Sequence, residues 1–213
     1  MLIVHHLGKS QSDRIGWLCE ELNIPYALKV YDRDSVTMLA PAEFKALHPI
    51  GAAPVLVDGD VKLAESGAVM EYIIAKYGDG RLSLPPSHPD FANYLYWFHF
   101  ANGTFQPVMG RNMILSRLKL PDDNAVLVGQ KNRLAMVFDL VEARLTEAEY
   151  FAGSEFTAAD IIMTFSLTTM RYFLPVDITP YPHILAYLQR ISQRPAFQTA
   201  MQKGDPGMPL LLT

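Results

Sequence analysis

Pro54 stands between the turn-rich run His48-Pro49-Ile50-Gly51-Ala52-Ala53 and the apolar run Val55-Leu56-Val57. A proline has no N–H to give to a β-ladder, so it is confined to a strand's first residue, an edge or a bulge. Pro54 therefore marks where a strand begins, and a cis Ala53-Pro54 bond there would make a sharp corner. Such a corner leaves the N–H and C=O of Ala53 at the edge of the fold, where an extended peptide can pair with them as one more strand. Val55 to Leu63 reads as a hairpin turning at Asp58-Gly59. Glu65-Ser66 then opens an apolar-periodic helix from Gly67 to Tyr77. A serine at a helix start, with the helix's first backbone N–H groups behind it, is an anion site.

The chain before this corner is a β-α-β unit. Leu2-Ile3-Val4-His5-His6-Leu7, bounded by Gly8, suits a buried strand. On a strand His5 and His6 face opposite sides, so they do not readily share one metal, and no metal site is expected. Gly8 to Asp13 is a polar turn carrying two hydroxyls, Ser10 and Ser12. From Arg14 to Leu22, the residues Ile15, Leu18, Cys19 and Leu22 fall on one helical face. Ala27 to Tyr31 reads as a second strand, parallel to the first through a right-handed crossover. Thr37 to Leu47 is a weaker helix, interrupted by Pro41. The order is β-α-β-α-β-β-α, that of an α/β thioredoxin-like domain over residues 1–80.

Gly78-Asp79-Gly80 and Pro85-Pro86-Ser87-His88-Pro89 mark a linker, residues 81–89. From residue 90 to 213 no strand pattern appears, and an all-α domain is expected. A long helix from Asp90 to about Leu118 carries Pro107 and Gly110, which predict a kink or break. Further helices are expected from Asp122 to Leu145, Phe151 to Phe173, Tyr181 to Ile191 and Ala196 to Met201. Thr157-Ala158-Ala159-Asp160 reads as a capping box, with Thr157 at the N-cap and Asp160 three residues on.

These pieces together resemble the cytosolic glutathione transferases, and the resemblance covers the whole chain. The corner Ala53-Pro54-Val55 with Glu65-Ser66 looks like the glutathione-binding half of that family. Ser10-Gln11-Ser12-Asp13-Arg14 is similar to the Ser-x-x-x-Arg turn of the serine-type theta and delta classes. It resembles still more the bacterial and fungal relatives with a Ser-Arg-Ser-Gln-Arg turn and a Trp-Leu-Leu-Glu-Glu-Leu helix, which Trp17-Leu18-Cys19-Glu20-Glu21-Leu22 matches except at Cys19. Phe151-Ala152-Gly153 and the capping box look like the family's buried core helix. The resemblance implies transfer of reduced glutathione to small hydrophobic electrophiles, with a serine hydroxyl stabilising the thiolate. Peroxidase, dehalogenase or isomerase chemistry, or a non-catalytic binding role on the same fold, are the alternatives.

The chemistry has a simple energetic requirement. A free cysteine thiol titrates near ~8.5, and each unit of lowering needs ~1.4 kcal/mol. A hydrogen bond to a charged group supplies about 1.5–3 kcal/mol, so one hydroxyl donor accounts for about one to two units. By position Ser10 matches the activating serine, with Ser12 as runner-up. Glutathione, the co-substrate, would be held at the Ala53 backbone beside Pro54, with its γ-glutamyl group on Ser66 and Glu65. Relatives carry a base where this chain has Ala52, so the glycyl carboxylate lacks its usual partner; Lys9, Lys45 or a histidine are the substitutes. Trp97 to Phe105 resembles a segment that faces glutathione across a dimer interface, with Asn102 in place of an acid. Phe105, Met109, Arg111 and Met113 are the candidates to line the electrophile site. The resemblance and the aromatic-rich helices imply a two-fold homodimer.

Composition narrows the partners. A formal net charge of -4 without a long basic run argues against nucleic acid. A single cysteine excludes an internal disulfide and a C-x-x-C pair. No apolar run approaches membrane-spanning length, and none of the signs of a secretory leader is read, so a cytoplasmic location is expected.

Overall fold

The computed structural model describes residues 1–213. Two compact units emerge: Met1–Ser83 with Ser192–Leu210, and Leu84–Ile191 with Leu211–Thr213.

The first unit is built on a four-stranded sheet in the order β2-β1-β3-β4. β1 (Leu2–Leu7) pairs in parallel with β2 (Tyr26–Tyr31) and antiparallel with β3 (Val55–Asp58), which pairs antiparallel with β4 (Val61–Ala64). β1 is an inner strand and almost wholly buried, its two histidines included. α1 (Asp13–Leu22) buries Ile15, Trp17, Leu18, Cys19 and Leu22 and closes on Asn23, whose φ of 53° is left-handed. The expected helix over 37–47 shrinks to the short α2 (Ala42–Lys45) behind Pro41, with Phe44 buried edge-on against Tyr31. The hairpin stands as read, and α3 (Ser66–Tyr77) follows it, burying Val69, Met70, Ile73 and Ile74. Tyr72, Lys76 and Tyr77 of α3 all donate to Asp58 Oδ2, fastening the helix to the end of β3.

One boundary differs from the sequence reading, which gave all of 90–213 to the helical domain. α9 (Pro195–Gly204) belongs to the sheet unit and packs on α1. The reason is chemical. Phe197 meets the Trp17 ring edge-on at 4.9 Å, and Arg194 holds Glu21 with two bonds of 2.7 and 2.8 Å.

In the helical unit α4 (Phe91–Phe100) runs through a π-helical segment (Ala101–Phe105) into α5 (Gln106–Ser116). The irregularity lies just ahead of Pro107, which has no N–H for the carbonyl four residues back. Gly110 breaks nothing. α6 (Ala125–Glu147) starts at Asn124 rather than Asp122, because the Asn124 side chain accepts the Val126 and Leu127 N–H groups. α7 (Ala158–Leu167) is buried at every residue and carries the full capping box. The expected helix over 151–173 therefore begins only at 158. Ahead of it, Arg144 donates to the Phe151 and Ala152 carbonyls in a non-helical turn. α8 (Pro182–Ser192) completes the helical unit's helices. No helix is long and apolar enough to cross a membrane.

Candidate functional site

The turn after β1 is tightly specified. Gly8 N–H donates to the Tyr31 carbonyl, Lys9 takes a left-handed φ of 52°, and Asp13 N–H donates to the Ser10 carbonyl. Ser12 occupies the N-cap position of α1 but makes no capping bond. Its hydroxyl turns back instead, meeting His6 Nδ1 at 3.0 Å and accepting the Leu7 N–H at 3.2 Å. Ser10 Oγ lies 2.7 Å from Ser12 Oγ. The two candidate serines are thus one hydrogen-bonded pair.

The end of α9 closes this turn from behind. Asp205 accepts the Lys9 N–H at 3.0 Å and the His6 Nε2 contact at 3.1 Å. Two glycines make the approach possible. A Cβ on Gly8 would lie 3.1 Å from Asp205 Oδ1, and one on Gly204 would lie 3.1 Å from the His6 ring. His5, on the opposite face of β1, bonds the Tyr31 hydroxyl at 2.9 Å. Burial, and then Lys29 and Lys62, lower its pKa.

The start of α3 joins the same corner. One Arg14 nitrogen donates to both Gln11 Oε1 and Ser66 Oγ at 2.9 Å, and Ser66 Oγ donates to Gln11 Oε1 at 3.1 Å. Arg14 is wholly buried, and burial pulls its pKa down to about 10 against the attraction of Asp13. Ser66 has 1% exposure, whereas Glu65 before it is exposed with φ 68° and ψ 111°, a conformation that non-glycine residues seldom adopt. The Ala53-Pro54 bond is cis, and both residues are buried just ahead of β3. Beside the Ser10 turn opens a groove of about 350 Å³ lined by Gly8, Lys9, Asp32, Arg33, Met38 and Asp205. Arg33 braces it by donating to the Gly8, Lys9 and Met38 carbonyls. Ser10 and Ser12 thus form one pair, Ser66 meets the same turn at Gln11 and Arg14, and Ala53, Pro54 and Glu65 lie just ahead of β3 and α3 in that unit. Cys19 is inert there: burial, then Glu20, pushes its thiol up to about 12.

The remaining candidates belong to the helical unit, and the structure corrects two of them. Phe105 and Met109 have 0% exposure and are core, with Phe105 edge-on to Phe138 at 5.2 Å. A helix apolar on most of its faces does not reveal by periodicity which apolar residues stay outside. Met113 and Asn102 are half-buried, Asn102 within the π-helical segment. Arg111 is exposed, its Nε donating to Gln130 Oε1 at 3.1 Å. Gln11, His6 and Asp205 also join the corner around Ser10. Nothing local marks them, since His6 and Asp205 meet across 199 positions.

Two family models match the chain: "Glutathione S-transferase, N-terminal domain" over residues 1–75 and "Glutathione S-transferase, C-terminal domain" over residues 107–195. A Glutathione S-transferase 3 of Schizosaccharomyces pombe is 35% identical over 219 residues, covering 95% of this chain and 88% of the relative. A Glutathione S-transferase 3 of Zea mays is 35% identical over 191 residues, covering 87% and 86%. Among solved structures, a glutathione S-transferase from Actinobacillus pleuropneumoniae superposes with a TM-score of 0.87 at 33% identity, covering 96% of this chain and 93% of that one.

Proposed function

We propose, for a chain that belongs to the glutathione S-transferase family, that it conjugates reduced glutathione to small hydrophobic electrophiles with Ser10 as the group that meets the thiol. One observation carries this reading. The Ser10 turn and the Ser66 helix start lie in one corner, connected through the Arg14–Gln11 contacts. A tripeptide pairing with the Ala53 backbone can then reach both ends of that corner. Its γ-glutamyl carboxylate would lie at the start of α3, favoured by the helix's partial positive charge, with Glu65 for the amino group. Its sulfur would lie at Ser10.

In this reading the electrophile contacts are drawn from Arg111 and Met113, the two of the four candidates that keep exposed surface. A homodimer is part of the same proposal. Its support is an exposed apolar face of α4 and α6, where Leu95, Tyr96, Met136 and Leu140 line a groove of about 600 Å³.

The test is retention on immobilised glutathione, followed by the ultraviolet signature of bound thiolate and conjugation of a generic aryl halide. Retention, thiolate and conjugate together support transfer. Absence of binding at millimolar glutathione would end the proposal.

A further inference from the structure

Four side chains form one continuous line behind the proposed thiol position. Asp205 Oδ2 lies 3.1 Å from His6 Nε2, His6 Nδ1 lies 3.0 Å from Ser12 Oγ, and Ser12 Oγ lies 2.7 Å from Ser10 Oγ. Ser12 and His6 are sealed at 0% and 1% exposure, while Ser10 keeps 5%.

Counting protons along the line decides its direction. A hydroxyl has one hydrogen to donate and two lone pairs. With His6 neutral, Nε2–H serves the Asp205 carboxylate and Nδ1 is bare. Ser12 must then donate to Nδ1, since a bare Nδ1 at 3.0 Å brings no hydrogen to that contact, whereas Ser10 can bring its own hydrogen to the contact at 2.7 Å. The Ser12 lone pairs are left for the Leu7 N–H and for Ser10 O–H. Ser10 therefore turns its hydrogen inward and faces outward as an acceptor. That is the wrong polarity for holding a thiolate, and the right one for receiving a thiol's proton.

We infer that Asp205, His6, Ser12 and Ser10 are a proton relay that takes the glutathione thiol proton into the protein and stores it on His6. The inference rests on the reading that Ser10 meets the thiol. The S–H bond breaks and its proton forms a new O–H at Ser10. The former Ser10 proton moves to Ser12 and the former Ser12 proton to His6 Nδ1. The products are a thiolate and an imidazolium, with no change of oxidation state. After transfer every hydrogen points the other way. His6 Nδ1–H donates to Ser12, Ser12 to Ser10, and Ser10 to the sulfur. One serine thus accepts the proton first and stabilises the thiolate afterwards. Ser10 is the catalytic residue; Ser12, His6 and Asp205 are positioning residues that act through it.

The surroundings of His6 suit the role. Asp205 faces it from the end of α9, and Gly204 leaves the ring room. Arg33, after β2, draws on the same Asp205 charge. The Lys9 N–H holds the Asp205 carboxylate in place. His5 points to the other side of the sheet, toward Tyr31.

The experiment counts protons. Calorimetric titration of the whole protein with reduced glutathione, in buffers of different ionisation enthalpy, gives the protons released. Nitrogen NMR of labelled histidine gives the state of His6. The relay predicts neutral His6 in the free protein, imidazolium with glutathione bound, and almost no proton released as thiolate absorbance appears. His6→Asn keeps an amide partner for Ser12 but takes up no proton. It should release about one proton per thiolate and raise the pH of thiolate formation by at least about one unit, an approximately tenfold loss of kcat/KM on the acid side. Asp205→Asn should shift the same profile upward by less. Thiolate formation with full proton release and an unchanged His6 spectrum overturns the relay and leaves Ser10 activation standing. A His6 already charged in the free protein also overturns it. No thiolate at saturating glutathione removes both. Should His6→Asn fail to fold, the wild-type calorimetry and NMR decide the matter.

Discussion

Arg14 and Ser66 are 52 positions apart in sequence and 2.9 Å apart in space. Their bond joins the first turn of α1 to the first turn of α3, and Gln11 closes the triangle. A buried guanidinium in this place ties the Ser10 turn to the start of α3, the places proposed for the thiol and the γ-glutamyl carboxylate. Arg14→Met should lower the free energy of unfolding by about 1.5–3 kcal/mol, the value of a hydrogen bond from a charged donor. It should also raise KM for glutathione more than it lowers kcat. Urea denaturation and steady-state kinetics check both. A variant with unchanged KM would mean that Ser66 takes no part in binding.

Ser10→Ala removes the group proposed to face the sulfur. Losing a donor to the charged form raises the thiol's pKa, so the thiolate should appear about one to two pH units higher on the enzyme. The loss of rate should be largest at low pH and fade at high pH. Ser12→Ala should give a smaller shift, since Ser12 acts one bond further away. Thiolate absorbance against pH, measured on both variants, distinguishes them. Equal profiles for Ser10→Ala and wild type would remove Ser10 from the mechanism.

Asp160 is fully buried in the first turn of α7, where it accepts the Phe151 and Thr157 N–H groups and the Tyr187 hydroxyl. Burial outweighs these donors and raises its pKa from the ordinary 3.8 to about 6. A proton held more tightly in the native state stabilises that state where the group is protonated. This contribution is complete below about 3.8 and is lost as pH rises through about 6. Asp160→Asn should flatten this part of the stability curve. Urea midpoints measured from about pH 4 to pH 7 on both proteins make the comparison.

Phe197→Ala opens a cavity against Trp17 in the sheet unit, and should destabilise the protein by about 3–5 kcal/mol. Urea denaturation followed by far-ultraviolet ellipticity, and by Trp17 fluorescence in a Trp97→Phe background, checks the size of the loss and whether the Trp17 face unfolds with the rest.

Much of the sheet unit was legible because its signals are local. Pro54 placed the head of β3, and Asp58-Gly59 placed the hairpin. The spacing of Ile15, Leu18, Cys19 and Leu22 placed the core face of α1. What escaped is what depends on distant partners. α9 reads as one more amphipathic helix until Phe197 and Arg194 find Trp17 and Glu21. Phe105 and Met109 carry the same apolar signal as pocket-lining residues, and only packing tells them apart. At the candidate site, the places of Ser10 in the turn before α1 and of Ser66 at the start of α3 were readable. The Asp205–His6 pair was not, because a lone acidic residue after a helix and a histidine in a strand are commonplace.

The membership of residues 192–210 in the sheet unit sets the order of synthesis against the order of assembly. On the ribosome the strands emerge first, and the α1 face around Trp17 waits for a helix encoded near the opposite end. The intervening helices are translated while that face is still exposed to solvent. A stall or frameshift anywhere in the middle of the message would therefore leave the early half without its last packing layer, and quality-control proteases would meet it in that state.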